Sequence, residues 1–100
     1  MTYLRVSISK WKVDLTAAEG EEVIRLVDRE GIPLLRQQPG FVRYQGMIPD
    51  AHTAITIFEW ASEEQAEAGQ PAWAAWVQRS LAQHLDGPIQ AYVGEVRVVS

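Results

Sequence analysis

Residues 3–13, YLRVSISKWKV, alternate in hydrophobicity, with Leu4, Val6 and Ile8 on one side and Tyr3, Arg5, Ser7, Ser9 and Trp11 on the other. A period of two marks a β-strand, because successive side chains leave the pleat on opposite faces. Two further alternating runs, residues 41–48 and 54–60, flank Pro49-Asp50-Ala51-His52-Thr53, which has the turn chemistry of a hairpin. A fourth, residues 89–99, closes the chain. Between the first and second strands Val23, Ile24, Val27, Leu34 and Leu35 recur at helical spacing behind Thr16-Ala17-Ala18-Glu19, a capping-box pattern. Gly31 and Pro33 predict a kink or break near Glu30, and Pro39-Gly40 ends the helix. Ser62-Glu63-Glu64-Gln65 opens a second helical region, which Gly69 interrupts and Pro71 restarts. Trp73, Trp76/Val77, Ser80/Leu81 and His84/Leu85 then follow every three or four residues, and Asp86-Gly87-Pro88 stops the run.

The order strand, helix, strand, strand, helix, strand predicts an α+β fold: a ferredoxin-like βαββαβ sandwich with a four-stranded antiparallel sheet, occupying residues 1–100 as a single domain. Both helices lie on one face, so each strand has a helix side and an open side. The cleanest apolar sets assign to the helix side Leu4, Val6 and Ile8 of strand one and Val42, Tyr44 and Ile48 of strand two. Ala54, Thr56, Phe58 and Trp60 of strand three join them, with Tyr92, Gly94, Val96 and Val98 of strand four. The open side then takes Arg5, Ser7, Ser9 and Trp11, then Phe41, Arg43, Gln45 and Met47, then Ile55, Ile57 and Glu59, and finally Ala91, Val93, Glu95 and Arg97. Large apolar groups among charges of both signs suit an interface, with a second copy of the sheet as the simplest cover.

Composition removes several functions. Nine basic against thirteen acidic residues, scattered singly, give no attraction to a phosphate backbone, so no nucleic-acid partner is expected. With no Cys and only His52 and His84, thiolate and His-cluster metal sites are excluded, and no metal is expected. No apolar run approaches a membrane span and no signal-peptide core is present, so the reading is a cytoplasmic protein without a membrane partner.

Gln38-Pro39-Gly40-Phe41 leading into VRYQG, and ITIFEW-Ala61-Ser62-Glu63-Glu64 opening a helix, resemble the antibiotic biosynthesis monooxygenase domain across nearly the whole chain. The resemblance implies a homodimer whose two sheets face each other as a dimeric α/β barrel. It also implies a substrate site between sheet and helices near Trp60, which matches the family's strand-three Trp. In the quinone-forming members the reduced aromatic substrate itself activates oxygen, so no cofactor is implied. Those members carry an Asn four residues before the Trp and a Tyr six after it, where this chain has Thr56 and Ala66. A haem-degrading branch requires an Asn on strand one and a helical Trp and His at fixed spacing, a pattern that Trp73, Trp76 and His84 do not reproduce.

Two readings follow. One is a cofactor-free monooxygenase acting on a small aromatic or quinone-type substrate, with Trp60 and His84 as catalytic candidates and Tyr44, Thr56, Phe58, Trp73, Trp76 and Tyr92 lining the site. The other is a non-catalytic dimer that binds a small ligand or serves a stress or regulatory role. Each aromatic also suits plain core, since such rings carry the largest buried area of any side chain. His84 in the last turn of its helix equally suits a cap stabilised by the helix dipole. Glu59, Glu95, Arg5, Arg43 and Arg97 are read as ion pairs across the dimer interface.

Overall fold

In the computed structural model, which describes residues 2–100, the first half of the chain forms β1 (Tyr3–Lys10), α1 (Ala18–Leu26), a π-helical turn (Val27–Gly31), α2 (Ile32–Arg36) and β2 (Phe41–Asp50). The second half forms β3 (Thr53–Trp60), α3 (Glu63–Ser80), a 3-10 turn (Ala82–His84) and β4 (Gln90–Glu95). All strand pairs are antiparallel, in the order β2-β3-β1-β4. This is the ferredoxin-like α+β arrangement that the periodicity predicts.

Local chemistry explains where elements start and stop. Asp14 Oδ1 accepts from both the amide (2.8 Å) and the hydroxyl (2.6 Å) of Thr16, which draws that hydroxyl away from the helix. The capping box expected at Thr16 therefore does not form, and α1 begins behind Ala17 with no side-chain cap. Ser62 does cap α3, its Oγ accepting from the Gln65 amide at 3.2 Å. The irregularity expected near Glu30 is the π turn at Val27–Gly31.

The expected break at Gly69 and Pro71 is absent, because α3 runs unbroken through both. Gly69 is glycine for packing: a Cβ there would overlap the Trp60 indole. Pro71 removes the donor for the Glu67 carbonyl, but both residues lie on the exposed side of α3, where water is at hand. The last strand is shorter than residues 89–99. Its register with β1 runs to the Tyr3–Glu95 pair, and one further backbone hydrogen bond, from the Val96 amide to the Thr2 carbonyl at 3.0 Å, ends the ladder.

Residues paired across an antiparallel ladder share a face. Trp60 and Phe58, 0% and 1% exposed beneath the helices, stand opposite Tyr3 and Arg5, and Thr56 and Ala54 stand opposite Ser7 and Ser9. The helix side of β1 is therefore Tyr3, Arg5, Ser7 and Ser9, and Leu4, Val6 and Ile8 face outward. This reverses the sequence-based assignment of β1, and of β4 with it. Ala91, Val93 and Glu95 share the helix side, while Tyr92 and Gly94 lie on the open side. β3 is as expected, and so is the open-side set Arg43, Gln45 and Met47 of β2. Phe41 moves to the helix side through a bulge between Phe41 and Arg43, and its ring meets Trp60 edge-on at 5.6 Å. Trp11 is also buried rather than at an open interface.

The dry part of the core lies at the Trp60 end of the sheet. Tyr44, Phe58, Trp73 and Trp76 form a chain of ring contacts with centroids 5.1 to 5.3 Å apart. Gly31 allows the π turn to approach them, since a Cβ there would lie 2.7 Å from Trp73 Cζ3. Trp76 Nε1 donates to Glu30 Oε1 at 3.2 Å, tying α3 to the π turn.

Candidate ligand cavity

At the other end of the sheet the helices do not close onto the strands. A cavity of about 490 Å³ lies between them. Its origin is the register of the sheet. On the helix side, Tyr44, Phe58 and Arg5 form a row of large residues, followed by Gly46, Thr56, Ser7 and Ala91, and then by Ala54 and Ser9. Two successive rows of small side chains leave the sheet too low to meet the helices, and residues two apart on a strand are nearly 7 Å apart, so the trough is wide. Tyr44 and Trp73, rings 5.5 Å apart, wall it towards the dry core. Trp11, Leu15 and Leu85 close the opposite end, and Val23, Val27, Ile32, Val77 and Leu81 form the roof. Ile24, Asp28, Arg36, Met47 and Ile89 are exposed and surround the mouth.

The floor is polar but uncharged. Ser7 and Thr56 hydroxyls are hydrogen-bonded to each other across β1 and β3. Ser9 Oγ accepts from Trp11 Nε1 at 2.8 Å and donates to the Ala54 carbonyl at 3.4 Å. Burial pushes the Tyr44 phenol up to about 12, so it is a neutral hydrogen-bond donor throughout the physiological range. Among the described residues the only charged lining groups are Asp28, Arg36 and Arg43. Arg43 is paired with Glu59 at 3.3 Å. Among the described residues no three His, Asp or Glu side chains converge as a metal site.

Of the residues singled out from sequence, the fold brings Tyr44, Thr56 and Trp73 to the cavity. Trp60 is not on its wall: the ring is fully buried against Gly69 and Phe41, and its Nε1 has no partner among the described residues. Phe58 and Trp76 are core behind Trp73. Tyr92 is 64% exposed on the opposite face of the sheet. His84 lies just beyond α3 in the 3-10 turn, with its ring beside Gln83 at 3.2 Å and away from the cavity lining. His52, on the hairpin, is exposed.

Ser7, Ser9 and Trp11 line the cavity although the sequence reading places them on the open side of the sheet. Their signal is a strand side with aromatic residues at both ends, Tyr3 and Trp11, and Arg5 followed by two small hydroxyls between them. Solvent does not require two aromatics, and a closed core does not tolerate two hydroxyls without partners.

The four-stranded antiparallel sheet with helices on one face matches solved structures that include antibiotic biosynthesis monooxygenases, some of them cofactor-independent, alongside proteins of unknown function. The monooxygenase from the gene ActVA-Orf6 of Streptomyces coelicolor, solved with the ligand nanaomycin D, superposes with a TM-score of 0.77 at 18% identity, over 98% of this chain and 89% of that one. SnoaB of Streptomyces nogalater, a cofactor-independent oxygenase, gives a TM-score of 0.73 at 16% identity, over 98% and 95% of the two chains. A Nitrosomonas europaea protein assigned to the antibiotic biosynthesis monooxygenases gives 0.69 at 13% identity, over 93% and 88%. No protein-family model matches the sequence, and no curated protein sequence matches it. Identities this low carry the fold, and function has to be argued from the cavity.

Proposed function

We propose that this protein belongs to the antibiotic biosynthesis monooxygenases and acts, as a homodimer, on a small planar aromatic substrate of the hydroquinone type. The observation that carries this reading is the cavity of about 490 Å³, with its apolar roof, aromatic wall and uncharged hydroxyl floor. Such a space suits a flat polycycle with a few oxygens, the kind of ligand its Streptomyces coelicolor neighbour holds.

Conversion of a hydroquinone to a hydroxyquinone balances without an added reductant. One atom of O2 enters a ring C–H position as a hydroxyl, the other leaves as water, and the ring supplies all four electrons. The roles left to the chain are to orient the ring against Trp73, to hold its oxygens at the floor, and to exclude bulk water. Two copies facing each other through Leu4, Val6, Ile8, Ile55 and Ile57 complete the barrel on the open side.

Oxygen uptake with a panel of dihydroxynaphthalenes and dihydroxyanthracenes, on protein stripped of metal and flavin, tests the reaction. The expected result is uptake above spontaneous autoxidation, with one atom of 18O2 in the product. Uptake at the autoxidation rate, with hydrogen peroxide as the only product of oxygen, overturns it.

One observation favours the second reading, a non-catalytic ligand-binding dimer. Among the described residues no carboxylate or imidazole lines the cavity floor to take a phenolic proton, since Asp28 stands at the mouth and His84 is elsewhere. In that reading the same ligands quench Trp73 fluorescence without any uptake of oxygen.

A further inference from the structure

The Ser7–Thr56 pair carries hydrogen-bonding capacity that the protein does not use. Each hydroxyl has one proton and two lone pairs. Their mutual bond spends one proton and one lone pair, and among the described residues neither oxygen has another side-chain partner. Ser9, two residues away, differs, because its oxygen both accepts from Trp11 and donates to Ala54. Ser7 is 7% exposed, and it and Thr56 stand in the row of small residues between Gly46 and Ala91, where the floor is lowest. A part-buried hydroxyl pair with one free O–H, opening into a cavity of this size, is half of a binding contact.

We propose that the Ser7–Thr56 pair is the specificity-determining contact of the cavity, and that it recognises a single neutral ring oxygen as either a phenol or a carbonyl. The proposal rests on the reading of the cavity as a site for planar aromatics. Its chemistry is that of a hydroxyl rotor. When the ligand presents a phenol, a lone pair of the pair accepts from it. When the ligand presents a carbonyl, the free O–H turns and donates. The contact therefore holds the reduced and the oxidised forms of one ring alike, which a fixed N–H donor or a carboxylate does not. An anionic oxygen is not the preferred partner, because the charged lining groups stand at the mouth and none on the floor. A ligand with an anionic substituent accordingly points that substituent outward, towards Arg36, with its neutral oxygen at Ser7 and Thr56.

The test uses the full chain with three probes of similar size, 1-naphthol, 1,4-naphthoquinone and naphthalene, titrated by quenching of tryptophan fluorescence. Thr56→Val removes the hydroxyl while keeping the branched shape, and Thr56→Ser restores it. The expected result is a loss of about five- to tenfold in affinity for the naphthol and the quinone in Thr56→Val, little change for naphthalene, and recovery in Thr56→Ser. Ser7→Ala gives the same pattern. Equal losses for all three probes, or loss for only one of the two oxygenated ones, overturn the proposal while leaving the cavity as a ligand site. If wild-type protein binds none of the three, the reading of the cavity as a site for planar aromatics falls, and the proposal with it. Circular dichroism of each variant separates these outcomes from loss of the fold.

Discussion

The two faces of the sheet are sorted in opposite senses. Towards the helices β1 presents Tyr3, Arg5, Ser7 and Ser9, and towards the outside the same strand presents Leu4, Val6 and Ile8. β3 continues the contrast, with Thr56 inside and Ile55 and Ile57 outside. Hydroxyls on the covered side are stable where they have each other and an open space, as Ser7 and Thr56 do. Apolar side chains on the uncovered side are stable where something covers them. The covered face is thus the place to look for a ligand, and the uncovered one for a partner.

The largest effect is expected from Ile57→Asp. If the outer face meets a second copy, a carboxylate at its centre is buried without a partner, and dimer stability falls by about 3–5 kcal/mol. Light scattering would report monomers or unfolded chain. If the face is simply wet, the same change stays within about 0.5 kcal/mol, and the contrast between faces loses its meaning.

Within the inner face, the dry end and the hollow end are expected to respond differently. Trp60→Phe should lower stability by about 1–3 kcal/mol in urea unfolding, because it opens a void under Gly69, yet leave naphthalene binding as it was. Ala54→Leu should do the reverse. Its side chain extends into the hollow, so stability shifts by no more than about 1.5 kcal/mol while binding is lost. Weakened binding in Trp60→Phe with binding kept in Ala54→Leu would move the site to the Trp60 end.

The smallest effect lies at the start of α1. Hydrogen bonds from the Thr16 hydroxyl and amide hold the Asp14 carboxyl below its ordinary 3.8. A depressed folded-state value means that the contribution is fully present above pH 3.8 and is lost as the pH falls through the lower folded value. Asp14→Asn should therefore lower the urea midpoint slightly at pH 7, with the difference from wild type narrowing in acid below that window. A gap that stays constant down to pH 2.5 would show that the carboxylate charge is irrelevant there.

The element order, the hairpin, the Ser62 cap and the irregularity near Glu30 were all legible, because periodicity and turn chemistry are local properties. The orientation of β1 was not. Alternation says that Leu4 and Ser7 lie on opposite faces, but which face is inside depends on what covers each, and that is a property of the assembly and the cavity. Reading the most apolar side of each strand as inside puts Leu4, Val6, Ile8 and Tyr92 under the helices and discards Ser7 and Ser9. Of the candidate site residues only Tyr92 is displaced in this way, because Trp60, Phe58 and Trp76 are core and His84 lies beyond α3. β3 escaped the error because Phe58 and Trp60 are too large for any place but the core. Phe41 was misassigned for another reason, since a bulge shifts every residue before it by one and leaves no mark in the sequence.

The π turn bears on how the roof is wound. Val23, Val27, Gly31 and Leu35 are inward positions separated by four residues each. An α-helix turns by about 100° per residue, so three steps of four overshoot by about 120°, and a straight helix would carry Leu35 a third of the way round towards solvent. The wider turn at Val27–Gly31 absorbs that phase error and keeps both ends of the helix facing the sheet. The same stretch supplies Val27 and Asp28 to the cavity. The angular phase of the helix and the bore of the cavity are therefore one variable, set by five residues, and a change in chain length there would alter both together.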